Sequence, residues 1–357
     1  MNSRASLREE KIQNFNPDGV GNTSANIFGL PFSVEESEVV VIPVPWDVTV
    51  SSGEGTSAGP MNVFKQSFQI DLFDERVTDP WKCGIAMETF PEELLKLNNK
   101  LREQSRKYID FLEKNGGKTG NNQLMIQIRN MVNDAGSILC EQVKNRCRET
   151  IDQQQLPVIL GGDHSTPLGL IYALGEKYAD FGILQIDAHA DLREAYEGFT
   201  HSHASVMFNA LKKNQISKLV PVGLRDISPA EYQVIQENKE KIVPFFARDI
   251  HRQIFQGETW QSICENIIQP LPQNVYISFD VDGLNPSEAL STGTPVPGGL
   301  SFDKVLYLFE MLVLSGRRII AFDLVETGAH KADGIVSCRL LYKTIALMLK
   351  SNKLTHH

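Results

Sequence analysis

The sequence predicts an α/β protein built on a mostly parallel sheet with helices on both faces. Short runs of β-branched and other apolar residues recur along the chain, and amphipathic helical stretches separate most of them. This alternation is typical of parallel sheets, because each connection has to return along a face of the sheet. The 357 residues, 41% of them hydrophobic, are enough for one large core, and no repeat or linker divides them.

The chain begins with a predicted N-terminal arm, residues 1–37. This segment is polar, and only the apolar stretch NIFGLPF is suited to docking on the rest of the chain. Residues 38–357 are predicted to form a single domain. Its predicted strands are EVVVIPVP (38–45), LPVILGG (156–162), FGILQID (181–187), KLVPVGL (218–224), KIVPFF (241–246), NVYISFDVD (274–282) and RRIIAFDLVE (317–326).

The longest helical region runs from about residue 92 to about residue 155. It contains the sequence KNGGKTGNN, whose Gly and Asn residues favour a helix end and an exposed loop. Two long helices joined by a loop are therefore expected between the first two predicted strands.

Composition excludes several classes of partner. The net charge is −9 and no cluster of Lys and Arg is suited to a phosphate backbone, so nucleic acid is not expected. No stretch has a signal peptide's apolar core or the roughly 20 apolar residues of a membrane span, so we expect a cytoplasmic protein without a membrane partner. The five cysteines are scattered without a CxxC pair, which indicates reduced thiols.

Three predicted strands end in unusual polarity. Since parallel strands present their carboxyl ends at one edge of the sheet, these side chains are expected to lie together. They are Asp163 and His164 after the second strand, Asp187, His189 and Asp191 after the third, and Asp280 and Asp282 at the sixth.

Alternation along an extended chain lets Asp187, His189 and Asp191 face one side, as it does Asp280 and Asp282. Four crowded carboxylates repel one another unless cations are present, and two divalent ions cancel four charges. Oxygen-rich ligation with two imidazoles does not suit structural zinc. It favours manganese, with nickel, cobalt and iron as alternatives, in a pair of ions about 3.5 Å apart.

Four motifs, in this order and spacing, resemble the ureohydrolase family of arginase, agmatinase and formimidoylglutamase. The resemblance covers residues 38 to about 345. It implies a three-layer arginase-like fold and assembly into homo-trimers or homo-hexamers. The motifs are GGDHS (161–165), DAHADLR (187–193), SFDVDGLNP (278–286) and TGTPVPGG (292–299).

The resemblance also implies a ligand set and a reaction. Two Mn²⁺ ions, or Ni²⁺ ions, would activate water for attack on a guanidino carbon, and urea would be released. Asp187 and Asp280 would bridge the ions. The first ion would be bound by His164, Asp187, Asp191 and Asp280, and the second by His189, Asp187, Asp280 and Asp282.

Further roles follow from the same resemblance. Glu326 in DLVET would hold the substrate guanidinium, and His203 in HSHASVMF would exchange protons with solvent, with His201 as a competing candidate. Asp191 counts among the catalytic groups as well as the ligands. Thr294 would lie near the metals and hydrogen-bond the substrate or a ligand.

The substrate prediction depends on the residues around this cage. Arginases commonly place an Asn after DAHxD, whereas Leu192 and Arg193 follow here, which favours the decarboxylated substrate agmatine, cleaved to putrescine and urea. Arg193 and Trp46 are predicted substrate contacts. The first loop, however, lacks the Arg that agmatinases often place before Gly-Pro.

The arm and the segment FQIDLFDERVTDPWKCG (68–84) could narrow the substrate pocket. A small pocket would suit guanidine, which is the alternative substrate. Arginase, guanidinobutyrase and formimidoylglutamase activities rank lower. Two further hypotheses are a metal-dependent deacetylase with one zinc ion and a catalytically inactive regulatory subunit.

Overall fold

A computed structural model describes residues 3–355, so the first two residues of the predicted arm and the last two of the chain lie outside the described part. One sheet of eight strands runs through this part. The strands are β1 (Val39–Val44), β2 (Ile85–Met87), β3 (Leu156–Gly161), β4 (Phe181–Ile186), β5 (Ile216–Leu224), β6 (Phe245–Phe246), β7 (Asn274–Asp280) and β8 (Arg318–Val325).

The strand order is β2-β1-β3-β8-β7-β4-β5-β6, and neighbouring strands pair in parallel throughout. All seven strands predicted from the sequence are present, although KIVPFF is reduced to two residues. The sequence prediction missed β2. Three apolar residues in an irregular stretch are too few to show a strand periodicity.

Helices cover both faces of the sheet, which gives the predicted three-layer architecture. They are α1 (Ser3–Asn14), α2 (Gly59–Ser67), α3 (Glu92–Lys114), α4 (Gln123–Asp152), α5 (Leu168–Lys177), α6 (Val206–Ala210), α7 (Pro229–Glu237), α8 (Ala247–Phe255), α9 (Trp260–Ile268), α10 (Phe302–Leu314) and α11 (Lys331–Ser351). Within residues 3–355, no helix combines the length and hydrophobicity needed to cross a bilayer.

Alternate residues of each strand pack into two separate cores. In β1, Val39 and Val41 face the core formed with α2 and α8–α11, whereas Val40, Ile42 and Val44 face the core formed with α3–α7. A sheet buried on both faces explains why the strands are continuous apolar runs.

The predicted break between the long helices lies where α3 ends and α4 begins. The side chain of Asn122 accepts a hydrogen bond from the backbone N–H of Met125, so it caps α4 at its N-terminus. The loop between the helices thus ends α3 and starts α4, as its Gly and Asn residues predict.

The N-terminal arm docks at the amino edge of the sheet. Glu38 directly precedes β1, and its carboxylate binds Arg4 at 3.0 Å and Arg8 at 3.3 Å. Phe15 packs on Trp81 from segment 68–84, with ring centroids 5.1 Å apart. Both the arm and this segment therefore contact the amino edge.

The arm also covers the exposed edge of β2. The side-chain amide of Asn26 donates to the Met87 carbonyl at 3.2 Å and accepts from the Met87 N–H at 2.8 Å. One side chain thus makes both hydrogen bonds that a neighbouring strand would make to this residue.

Candidate metal centre and active site

The side chains predicted to bind metal follow neighbouring strands at the carboxyl edge. The order β3-β8-β7-β4 makes these four strands consecutive in the centre of the sheet. His164 follows β3, Glu326 follows β8, Asp280 ends β7 and Asp187 follows β4. The loops that follow these four strands therefore begin close to one another.

His164 lies at the centre of one group of carboxylates. Its Nδ1 is 3.0 Å from Asp187 Oδ2, 2.9 Å from Asp191 Oδ2 and 3.4 Å from Asp280 Oδ2. None of these contacts has hydrogen-bond geometry, so this buried nitrogen has no hydrogen-bond partner among the described residues. Two atoms that bind one ion at about 2.1 Å and at right angles lie about 3 Å apart, so this spacing suits a shared divalent ion.

His189 forms a second group beside the first. Its Nδ1 is 2.9 Å from Asp282 Oδ2 and 3.6 Å from Asp187 Oδ1. The two sets of potential ligands, His164-Asp187-Asp280 and Asp187-His189-Asp282, share Asp187. The structure therefore brings all six predicted ligands together, with Asp187 between the two groups, and the donor set fits two divalent ions.

The electrostatics of this cluster favour bound cations. Burial and repulsion by Asp187 raise the pKa of Asp191 to about 7. Burial, with Asp282 and Asp187 nearby, raises the pKa of Asp280 well above its ordinary value. Burial opposes ionisation of His164, but the surrounding carboxylates raise its pKa well above the ordinary range. Protons therefore balance part of the negative charge of the cluster, and bound divalent cations would displace these protons.

Other side chains orient the potential ligands from behind. Ser278 Oγ lies 2.9 Å from His164 Nε2, which leaves Nδ1 of that ring facing the carboxylates. Gln185 Nε2 donates to Asp187 Oδ2 at 2.9 Å, and Thr294 Oγ1 donates to Asp282 Oδ2 at 3.2 Å. Contacts of this kind fix the direction of metal ligands.

Two residues of the site adopt a left-handed backbone conformation that side chains other than glycine rarely adopt. Asp191 has a φ of +54° and Glu326 a φ of +60°. The carbonyl of Asp191 accepts hydrogen bonds from the N–H groups of Met207 and Phe208, both at 3.1 Å. Strain at two acidic residues of one cluster is a feature of functional sites.

Glu326 is buried at the inner end of a cavity that leads to the cluster. Its Oε1 accepts a hydrogen bond from the His164 N–H at 3.0 Å, and Oε2 has no partner among the described residues. Burial and the Asp280 carboxylate raise the pKa of Glu326 well above its ordinary value. A buried acceptor of this kind suits a planar cation.

The structure separates the two competing histidines. His203 lines the cavity, whereas the His201 side chain lies against α4, 3.0 Å from the position that a Cβ on Gly136 would occupy. Burial and the charges on His189 and His164 lower the pKa of His203 to about 3, so its ring is neutral near pH 7. Its location is the one that proton exchange with the cavity requires.

The cavity has a volume of about 260 Å³ and a mostly polar lining. Arg193 lines it, with its Nε 3.6 Å from Glu231 Oε2 and its guanidinium 4.6 Å from the centre of the Tyr196 ring. Asp226 lines the cavity as well and is exposed to solvent. The only cationic Lys or Arg side chain among the described lining residues is thus already engaged by an acid and an aromatic ring.

The sequence interpretation did not identify Tyr196, Asp226 and Glu231 as lining residues. Asp226 lies two residues after the end of β5, so the rule that sites gather at strand ends was a usable signal. Glu231 belongs to a capping box with Ser228 at the start of α7, a pattern that indicates a helix start only. No signal in the sequence pointed to Tyr196.

Trp46, predicted to contact substrate, does not line this cavity. Its side chain is buried with Val44 and Val48 in the core beneath α3 and α4, because it continues the alternation of β1. The arm and segment 68–84 do not line the cavity either. The proposed narrowing of the pocket by these segments is therefore absent within one chain.

A parallel α/β sheet that gathers two overlapping His-Asp groups at its carboxyl edge, beside an acidic cavity, defines a metal-dependent hydrolase. The model of the arginase family matches residues 37–346. The chain belongs to the arginase family, as the motifs predicted, and it acts on guanidino C–N bonds.

Individual relatives agree with this assignment. The chain is 30% identical over 318 residues to N(1)-aminopropylagmatine ureohydrolase of Thermus thermophilus, covering 88% of this chain and 91% of that protein. It is 24% identical over 294 residues to agmatinase of Bacillus cereus, covering 82% and 84%. The solved structure of agmatine ureohydrolase of Thermoplasma volcanium matches with a TM-score of 0.68 at 21% identity, covering 97% and 99%, and shares the fold.

Proposed function

We propose that this protein hydrolyses agmatine to putrescine and urea with two Mn²⁺ ions per chain. The observation that carries the proposal is the convergence of five ligand side chains into two groups that share Asp187, with Asp191 beside His164, at the inner end of an acidic cavity. Ni²⁺ accepts similar ligands and is the alternative ion.

The proposed ligands are those predicted from the motifs. His164, Asp187, Asp191 and Asp280 would hold one ion, and His189, Asp187, Asp280 and Asp282 the other. Support comes from the distances of 2.9–3.6 Å between the imidazole nitrogens and the carboxylate oxygens. Bound ions of this kind lower the pKa of water and so supply a nucleophile at neutral pH.

The remaining residues bind substrate and exchange protons. Glu326 binds the substrate guanidinium through Oε2, since Oε1 already accepts the His164 N–H. His203 lies at the cavity wall, where its ring can pass a proton between the leaving amine and solvent. Thr294 keeps Asp282 in place through its hydroxyl.

The acidic cavity supports a substrate whose far end is cationic. Arg193 is paired through its Nε with Glu231 and stacked on Tyr196, so a substrate carboxylate would compete with Glu231 for this guanidinium. This disfavours arginine, guanidinobutyrate and formimidoylglutamate. Asp226 is an exposed carboxylate on the same wall, and we assign it to the distal ammonium group of agmatine.

Guanidine is the second candidate substrate, but its structural support is weaker, because the segments predicted to narrow the pocket lie elsewhere. A single zinc ion in a deacetylase site is disfavoured by the two overlapping ligand groups. An inactive regulatory subunit is disfavoured because all six potential ligands are present and face one another. Assembly into trimers or hexamers and a cytoplasmic location stay predictions.

The test is a urea-release screen with agmatine, N(1)-aminopropylagmatine, arginine, guanidinobutyrate and guanidine, using protein loaded with Mn²⁺ or with Ni²⁺. We expect the highest kcat/KM for agmatine with Mn²⁺. Asp226→Asn should raise KM for agmatine about 5- to 10-fold, the equivalent of one weak ion pair, and leave KM for guanidine unchanged. Faster hydrolysis of guanidine than of agmatine would contradict the assignment.

A further inference from the structure

Loops from three different strands meet at the buried side chain of Thr49. Its Oγ1 lies 3.2 Å from Asp163 Oδ2, in the loop after β3, and 3.1 Å from the backbone nitrogen of His203, in the loop after β4. Thr49 itself belongs to the loop after β1 and is 3% exposed. One hydroxyl therefore joins the cavity histidine to the loop that carries His164.

The chemistry of the two partners fixes the direction of both hydrogen bonds. An ionised carboxylate only accepts, and a backbone N–H only donates. The single proton of the Thr49 hydroxyl therefore points to Asp163, and a lone pair faces the N–H of His203. The other oxygen of Asp163 accepts from the N–H and the hydroxyl of Ser165, which anchors this carboxylate independently.

The N–H of His203 needs an acceptor from outside its own segment. His203 begins a short 3₁₀ helix, and the first N–H groups of a helix have no partner within it. The capping residue Ser202 accepts from Ala204, so its side chain serves the next amide along. Thr49 supplies the acceptor for His203, although β1 and β4 are separated by three strands in the sheet.

We propose that Thr49 is a positioning residue that holds His203 at the cavity wall in the geometry proton transfer requires. The inference rests on the proposed function of His203. Its physical basis is that a shift of about 1 Å in a catalytic group can cost 100-fold in rate. Thr49 makes no contact with the predicted metal ligands in the hydrogen bonds described, so its effect falls on catalysis and not on metal binding.

The test compares Thr49→Val, which keeps the shape and removes the hydroxyl, with Thr49→Ser, which keeps the hydroxyl. We expect kcat for urea release to fall at least about 10-fold in the valine variant, with KM within about 2-fold, and the serine variant to stay within about 3-fold of the parent kcat. Metal content should remain at two ions per chain in both variants.

A second measurement separates positioning from a general structural effect. Added imidazole should raise kcat of Thr49→Val and of His203→Ala, because a soluble base replaces a misplaced or missing one, and should not raise kcat of the parent. Thr150→Val is the matched control, since Thr150 is a buried threonine whose hydroxyl donates to the Arg146 carbonyl within α4. Its kcat should equal that of the parent.

The outcomes are distinguishable. Parent-like kcat in Thr49→Val beside a slow His203→Ala overturns this inference and leaves the proposed function intact. Parent-like kcat in His203→Ala overturns the proposed role of His203 and the inference with it. A serine variant as slow as the valine variant also overturns the inference. If valine prevents folding, Thr49→Ala provides the same comparison with serine.

Discussion

The two edges of the sheet treat buried negative charge in opposite ways. At the amino edge, the buried carboxylate of Glu38 is bound by Arg4 and Arg8, and Lys11 binds Glu36 at 2.7 Å. At the carboxyl edge, carboxylates outnumber the imidazoles that face them. The residues concerned are Asp187, Asp191, Asp280 and Asp282, opposite His164 and His189.

The comparison shows that side chains of the protein neutralise the buried negative charge at the amino edge but only part of it at the carboxyl edge. The guanidinium groups of the arm stay charged at all ordinary pH values and have a fixed planar geometry, so their ion pairs with Glu38 attach the arm to the sheet. The carboxyl edge leaves a deficit of positive charge in a buried place, and such a deficit is what divalent ions relieve. The imbalance itself therefore marks the carboxyl edge as the candidate metal centre.

The strongest test of this comparison removes the carboxylate shared by both ligand groups. Asp187→Ala should lower kcat/KM for urea release by about 1,000-fold or more, since both ions lose a ligand. Metal content per chain, measured by atomic emission, should fall with it. Asp74→Ala, which removes a buried carboxylate bound by Lys343, is the control and should retain both ions and activity. Two tightly bound ions in Asp187→Ala would contradict the shared position.

Glu326→Gln separates substrate binding from metal binding at the same edge. The amide keeps an oxygen for the His164 N–H but loses the charge that holds a guanidinium. We expect kcat/KM to fall about 100-fold, as for loss of a buried charged partner. Metal content should be unchanged, because the substitution relieves repulsion with Asp280. Loss of metal without loss of substrate affinity would assign Glu326 to the metal centre instead.

Arg8→Met tests the amino edge. It removes one of the cations that the described residues place on a buried carboxylate, so the free energy of unfolding in urea should fall by about 2 kcal/mol. The kcat value should stay within about 2-fold of the parent, because the arm does not line the cavity. Lys11→Met, at a more exposed pair, is the control and should cost less than about 1 kcal/mol. A large drop in kcat would mean that the arm acts on the site.

The smallest expected effect is a pH dependence confined to the metal-free protein. The pKa of Asp191 is raised to about 7, so the folded chain keeps a proton that the unfolded chain releases near its ordinary pKa. The stability linked to that proton is present at low pH and is lost as the pH rises through 7. The Tm of chelated protein should fall by about 2 °C between pH 6 and pH 8. Mn²⁺-loaded protein should show no such fall.

The fold was predictable where burial dictates composition. Central strands such as β4 and β7 are apolar because both of their faces are covered, and their ends are marked by Asp187 and Asp280. The edge strand β2 was missed because its three residues are too few to show a strand pattern in the sequence. The arm was predicted as a docked segment, but its position at the amino edge depends on the contact between Arg8 and Glu38, which lie far apart in sequence.

The candidate site was predictable to the extent that chemistry follows strand ends. Six ligand candidates lie within a few residues of a strand terminus, so local sequence was enough to propose them. Trp46 was misassigned because it also follows a strand, yet strand alternation turns its side chain into the core. Asp226 follows β5 by two residues and carried the same strand-end signal, whereas Tyr196 reaches the cavity through the long loop after β4. The different surroundings of His201 and His203 depend on the position of a single 3₁₀ helix, which the sequence does not fix.

The two hydrogen bonds between Asn26 and Met87 have a consequence for solubility. An unpaired strand at the rim of a sheet is a template to which a second chain adds by backbone pairing, and aggregation begins there. One side-chain amide occupies the donor and the acceptor of the last residue in β2, so an incoming strand finds that position taken. The arm thereby opposes growth of the sheet at its β2 edge.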